Sequence, residues 1–461
     1  MTLLGTKIRV ARTVGRAVRA TGRGGGTSLP GRVLLRLAPQ AISELSARLA
    51  HGSAVISATN GKTTTAGITA TVLRLAGHEL VHNRAGANME GGVASTLLSA
   101  ARAGGGIAGD MGLFEVDEFW LGPVTQQVAP KAMLLGNLFR DQLDRYGELE
   151  TIASRWADVV AGLPGTTALV LNADDPLIAD LGRTHQDVTY FGVDDNELAL
   201  PEMQHASDSK HCRRCGAPYV YDVIYLGHLG HYHCAQCGRE RPQPSVRAEH
   251  ITLHGTSAAT FMLVTPSGRR SVLLRLPGLY NVYNALAATA LCLALEVPLD
   301  VIVAGLEAAQ AAFGRAETVQ VADTSLQLLL IKNPAGANEV MRTLTLEADE
   351  LELLTILNDN VADGRDVSWV WDADFELLAP HVRHITCSGT RAAELAVRFK
   401  YAGVPESALT VVPDLAQALD LALARAGQGR LFALPTYTAL LALRAELSAR
   451  GHVPSYWETA A

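Results

Sequence analysis

Residues 53–77, "SAVISATNGKTTTAGITATVLRLAG", constrain this chain more than any other stretch. A short apolar run rich in β-branched residues ends in a Gly-Lys-Thr turn, and a helix-patterned segment follows that stops at Gly77. Strand, loop and helix in that order form the unit of an α/β domain whose site lies at the carboxyl ends of its strands. Gly61 lets the backbone approach an anion, Lys62 supplies charge for β/γ-phosphate oxygens, and Thr63 offers a hydroxyl to Mg²⁺. The N–H groups of the first helical turn point the same way. The chain holds only 6 lysines against 33 arginines, so the lysine at 62 stands out. Together these residues predict an ATP site. They also predict an unusual one, because Ile56 occupies the place of the first glycine in the common P-loop spacing.

At 461 residues the chain should fold as two or three domains. Its 48% hydrophobic and 18% charged content is globular, and a net charge of −7 argues against a dedicated nucleic-acid binder. No apolar run reaches the ~18 residues of a membrane span, and the basic N-terminus lacks the apolar stretch of a signal peptide. A cytoplasmic protein is expected.

Four of the six cysteines form two C-x-x-C pairs, Cys212/Cys215 and Cys234/Cys237, with 18 residues between the pairs. Each pair turns through a knuckle, "CRRCG" or "CAQCG", which fits a closed, structural Cys₄ zinc ribbon. Four sulfurs complete a tetrahedral shell, so His211, His228, His231 and His233 are expected on the surface. Cys292 and Cys387 are expected as small buried hydrophobes.

Further apolar runs ("GLFEVDEF", "KAMLLGNL", "TTALVLNADD") end in polar residues, as the strands of a parallel sheet do at their loops. Residues 208–242 interrupt this rhythm without a helical period. The segment "LPGLYNVYNALAATALCLAL" is helix-patterned, "FGRAETVQ" reads as a hinge, and short strands alternate with helices beyond it. The arginines at 9, 12, 16, 19 and 23 fall on one helical face. Such a face is either plainly solvated or drawn to anionic lipid or a phosphate-rich ligand.

"ATNGKTTT" resembles the ATP loop of the Mur ligases and folylpolyglutamate synthetases, enzymes that activate a carboxylate as an acyl phosphate. "FEVDEF", "NLFRDQLDRYG", "LPGLYNVYNALAA" and "FGRAE" resemble further motifs of that family, in its order. The resemblance implies a nucleotide site at Thr59, Asn60, Gly61, Lys62, Thr63, Thr64, Asn281, Asn284 and Arg315. Mg²⁺ would be held by Thr63 and Glu115, with Lys62 and Glu115 in catalytic roles. Gln142 and Tyr280 replace histidines of the family, and "IKNPAGANEV" replaces its Asp-Tyr-Ala-His-Asn-Pro signature. Only about 50 residues precede the loop, too few for the UDP-gripping domain of Mur ligases. The pattern is instead similar to the MurT family, synthetase subunits that pair as a heterodimer with a GatD-like glutaminase and amidate lipid II.

The implied fold is α/β: a basic segment (1–48), a P-loop Mur-ligase-type ATPase domain (49–314) with the zinc ribbon inserted at 208–242, and a smaller Rossmann-like α/β domain (315–461) contacting the glutaminase. The implied reaction converts D-isoglutamate of the lipid II stem peptide to D-isoglutamine through an acyl phosphate, at the inner membrane face and within peptidoglycan synthesis. On residue type alone, "NDNVADGRDVSWVWD" (358–372) is a polar βα loop with helix-capping aspartates. The resemblance adds a role: Asp363, with Asp366 the alternative, completes the cysteine–histidine pair of the glutaminase. Trp369 and Trp371, at strand spacing, read as core or interface anchors. Two other readings remain: a stand-alone amino-acid ligase of the Mur or folylpolyglutamate type, and a non-catalytic ATP-binding zinc adaptor.

Overall fold

The computed structural model describes residues 3–20, 28–83, 87–102, 106–140, 149–205, 207–310, 315–347 and 350–454. Gln142, the first two hinge residues Phe313 and Gly314, and the side chain of Arg315 lie outside that description. A nine-stranded sheet runs in the order Gly268–Leu274, Ala258–Thr265, Val246–His254, Val188–Val193, Ala168–Asn172, Ala132–Leu135, Ser53–Ser57, Met111–Glu115 and Leu80–His82. It is parallel from Val246–His254 onwards, and the first three strands form an antiparallel meander at one edge.

Ser53–Ser57 is buried along its whole length between two parallel neighbours, which explains why it is apolar on both faces. Successive residues serve different cores. Ala54 and Ile56 pack with helices Lys62–Leu75 and Leu279–Ala294, whereas Val55 packs with Leu29–Leu37, Glu90–Ala100 and Leu149–Ala161 on the other face. The period of two along a strand thus divides one segment between both layers.

A six-stranded sheet follows, ordered Arg315–Val321, Thr324–Leu329, Arg430–Pro435, Leu351–Ile356, Val382–Ser388 and Leu409–Val411. Only its first pair is antiparallel. The segment read as a hinge therefore enters a strand at Arg315. Trp369 and Trp371 lie on a 3₁₀ turn, Ser368–Trp371, and not on a strand. Asp366 accepts from the Ser368 N–H (2.8 Å) and closes the chain into that turn, overriding the alternating pattern.

Arg9, Arg12, Arg16 and Arg19 of the stripe lie on helix Leu3–Ala20, and Arg23 falls outside the described residues; Ile8 and Ala11 of that helix are core. Arg12 is half-buried. It donates to the carbonyls of Leu98 (2.8 Å), Ser99 (3.2 Å) and Ala101, satisfying the carbonyl end of helix Glu90–Ala100.

Candidate active site

The phosphate loop, Glu115, Asn137 and Asp174 all follow carboxyl ends of parallel strands, where side chains from several loops converge. Gly61 has φ +82°, and a Cβ there would stand 2.0 Å from Asn284 Oδ1. Only glycine fits. No side chain caps helix Lys62–Leu75, so its first-turn amides are left for a ligand. Asn137 clamps the loop in both directions: its Oδ1 accepts from Asn60 N (2.9 Å) and its Nδ2 donates to Asn60 O (3.0 Å). Thr59 Oγ1 accepts from Phe139 N (3.1 Å). Thr64 is buried, and Thr63 is half-buried beside it in the first helical turn.

Lys62 is buried, and its Nζ donates to Glu118 Oε2 at 2.8 Å and to the carbonyl of Ala58. Burial opposes its charge, yet Glu118, Glu115 and Asp117 outweigh that, and the net direction is above the ordinary 10.5. Glu115 is itself buried, with its backbone fixed by Asn83 through N–H (2.8 Å) and C=O (2.7 Å) bonds. Glu115, Asp117 and Glu118 are all buried near Lys62 and offer oxygen donors of the kind Mg²⁺ takes, but their oxygens do not converge within 4.8 Å of one another as a ligand set.

From the second sheet, Lys332 Nζ reaches Thr59 O (3.4 Å) and Asn333 Nδ2 reaches Asn60 Oδ1 (2.9 Å). Asn284 Nδ2 donates to Asn281 Oδ1 (3.0 Å), and Asn281 Nδ2 donates to Pro277 O (2.7 Å). These units enclose a cleft of about 980 Å³, counting its mouth, lined among others by Asn60, Gly61, Thr64, Tyr280, Asn281 and Asn284.

Thr59, Asn60, Gly61, Lys62, Thr64, Asn281 and Asn284 are thus brought together. Asn137, Glu118, Lys332 and Asn333 were not singled out from the sequence. Glu118 lay inside "FEVDEF", and Lys332 is one of only 6 lysines; both were available signals.

The four cysteine sulfurs lie within 4.8 Å of one another, with Cys212–Cys237 at 3.6 Å and Cys215–Cys234 at 3.4 Å. Tetrahedral thiolates ~2.3 Å from an ion sit roughly 3.8 Å apart, so the cluster fits such an ion. Burial works against a thiolate at Cys212, but the N–H groups of Arg214 and Cys215 bring it down to about 6. The expectation of surface histidines fails at His228. It is fully buried, its ring 4.5 Å from Phe139 and its Nε2 3.4 Å from Asp175 Oδ2. The hairpin between the cysteine pairs pushes its tip inward, which its spacing did not reveal.

The tail acids occupy the loop after Leu351–Ile356. Asp363 is 6% exposed, its Oδ1 accepting from Thr438 N (2.7 Å) and its Oδ2 from the Thr438 hydroxyl. Asp366 is exposed, and hydrogen bonds from Ser368 hold its carboxyl below the usual range. Close by in sequence, Val361 and Trp371 are 73% and 53% exposed, and Trp371 packs edge-on to Tyr401 at 5.8 Å. Trp369 is buried core.

Comparison with known proteins places this geometry. Residues 56–292 match the Mur ligase middle domain and residues 330–440 the MurT ligase C-terminal family. The chain is 32% identical to the protein named "Lipid II isoglutaminyl synthase (glutamine-hydrolyzing) subunit MurT" of Streptococcus pneumoniae, over 93% of each chain. To the protein of that name in Staphylococcus aureus it is 32% identical, over 96% of this chain and 97% of that one. Among solved structures, a pseudomurein peptide ligase type C from Methanothermus fervidus superposes with a TM-score of 0.66 at 21% identity, covering 88% of this chain and 80% of that one. MurF from Acinetobacter baumannii gives 0.65 at 21% identity, covering 92% and 80%. These two establish the Mur-ligase-like α/β fold. No described helix is long and apolar enough to cross a membrane. By the extent and identity of these matches, the chain belongs to the MurT family of Mur-ligase-type proteins.

Proposed function

We propose that this protein is the ATP-dependent synthetase subunit of a lipid II isoglutaminyl synthase, working beside a GatD-like glutaminase. The supporting observation is the Gly61–Lys62 loop, closed over by Asn333, within a chain matched to MurT subunits over more than nine-tenths of its length. Its working units are taken as 1–48, 49–314 and 315–461.

ATP lies with its phosphates on the helix N-terminus and against Lys62. Lys62 then exchanges part of its pairing with Glu118 for the γ-phosphate. The α-carboxylate of D-isoglutamate attacks the γ-phosphorus, the bond to ADP breaks, and an acyl phosphate forms. Ammonia from the partner attacks the carbonyl carbon, phosphate departs, and the nitrogen loses a proton to give the amide. Catalysis by this chain is mostly positioning and neutralisation of charge. Thr63 and Glu115 would hold Mg²⁺, which when bound neutralises phosphate charge. Asn281 and Asn284 serve the nucleotide's base side, and Arg315 of the hinge is taken as a further nucleotide-binding residue.

The four cysteines hold a structural Zn²⁺. Val361, Trp371 and Tyr401 anchor the glutaminase, and Asp363 or Asp366 orients its histidine. The protein sits in the cytoplasm, with its arginine helix near the inner membrane face. Ile8 and Ala11 are core, so Arg9→Glu tests that placement more cleanly than deletion of the helix. The main test uses the purified heterodimer, glutamine and lipid-linked muropeptide carrying labelled carboxyl oxygen. Label should pass to inorganic phosphate; amide formed without labelled phosphate would overturn the reading.

A further inference from the structure

The cysteine-bearing insertion does more than hang on the surface. Its two strands, Val220–Leu226 and Leu229–His233, are joined by the two-residue turn Gly227–His228, and both Leu226 and Leu229 line the nucleotide cleft. The turn is seated on Phe139: the His228 ring lies 4.5 Å from it, and a Cβ at Gly227 (φ +56°) would stand 2.8 Å from Phe139 Cε1. Phe139 in turn donates its N–H to Thr59 of the phosphate loop. Arg342, on the helix that follows Asn333, donates to Tyr225 O at 2.7 Å, so the hairpin also bridges to the second sheet.

The opposite end of the hairpin is the cysteine cluster. Leu229–His233 runs directly into Cys234, and Tyr219, Tyr232, Cys212 and Cys234 pack as one small core. Among the described residues the hairpin forms a two-stranded sheet of its own. A two-stranded ribbon is marginal in water by itself. Its order depends on the cysteine cluster at the base, on the core contacts of Leu226 and Leu229 at the tip, and on ties along its length, Gly230 N to Asp174 O (3.0 Å) and Leu200 N to Ile224 O (2.7 Å). Arg241, just past Cys237, adds a further tie: its Nε donates to Asp174 Oδ1 (2.6 Å), and Asp174 Oδ2 accepts from the hydroxyl of Tyr283, another cleft residue (2.6 Å).

We infer that Leu226 and Leu229 form part of the apolar wall against which the nucleotide is held, and that a metal in the Cys₄ cluster sets nucleotide affinity by ordering that wall. The inference rests on the cleft being the ATP site, as proposed above. An ion in the cluster fixes both knuckles, keeps the two strands in register and holds the tip against Phe139. Without it, the tip loses the order that positions Leu226 and Leu229.

ADP binding by titration calorimetry tests this on the full chain in complex with its glutaminase. One arm compares the zinc-loaded complex with the same complex after chelation and after zinc is restored, with metal content measured at each stage. A second arm keeps the cysteines and examines the Leu226→Ala/Leu229→Ala double variant, with folding checked by circular dichroism. ADP affinity should fall about tenfold in each arm, the scale of lost apolar pocket contacts, and zinc should restore it in the first. Unchanged affinity in either arm, while the zinc-loaded wild type binds ADP, overturns the inference. Failure of the wild type to bind ADP would instead overturn the nucleotide reading on which it rests.

Discussion

Lys62 Nζ lies 2.8 Å from Glu118 Oε2, and both side chains are nearly buried. The ammonium proposed to meet the phosphates is thus held in place by an acid. Lys62→Ala should cut amidation about a thousandfold, the scale on which a cation at a transferring phosphoryl group acts. It should also leave Glu118 buried without its partner, at a cost of about 3–5 kcal/mol. Lys62→Met/Glu118→Gln removes both charges. Denaturant unfolding should show most of that stability recovered while activity stays lost, which separates the chemical role from the structural one.

The pH dependence of the same pair has a definite sign. The folded pKa of Lys62 is raised above 10.5. Its pairing therefore contributes stability fully below the unfolded value and loses it as pH rises through the folded value. Wild type and Lys62→Met/Glu118→Gln, which leaves no unpaired carboxyl behind, should differ by a constant unfolding free energy between about pH 6 and 9, and the gap should change only at more alkaline pH. A gap that closed near neutrality would contradict the buried pairing.

Gly61→Ala places a methyl group on Asn284 at a positive φ. The backbone strain alone costs about 1–2 kcal/mol, and relief of the clash moves the loop. ADP binding should be lost in calorimetry, with a Tm only modestly lower.

Asp363→Asn and Asp366→Asn separate the two carboxylates of the tail loop. The one that orients the partner's histidine should, when changed, abolish glutamine-dependent amidation but leave amidation from added ammonium salts intact. Asp363→Asn should also lower stability by about 1–3 kcal/mol, because Thr438 loses a charged acceptor for its N–H and hydroxyl. Asp366→Asn, at an exposed site, should not.

Trp371 is half exposed next to Tyr401. Trp371→Ala should weaken heterodimer formation by at least about tenfold, the usual range for an aromatic interface anchor. Light scattering or calorimetry with the glutaminase reads this directly, and an unchanged dissociation constant would place the partner elsewhere.

Several of these residues were legible before any fold was known, and for a physical reason. Strand, Gly-Lys-Thr turn and helix close on themselves within 25 residues, so the phosphate loop is written in local sequence. Each C-x-x-C knuckle is likewise local. The alternation of apolar runs with polar ends marked the α/β layers, because periodicity needs no knowledge of partners. What the tertiary structure decided were the contacts between distant segments. Asn333 meets Asn60 across 273 positions, Lys62 finds Glu118 across 56, and Arg12 reaches the end of a helix 86 residues away. His228 shows the same limit: nothing in its neighbours' chemistry announces burial, which follows only from where the hairpin tip lands. Local sequence sets backbone conformation and donor type, whereas which charges neutralise one another is settled by the packing that brings the segments together.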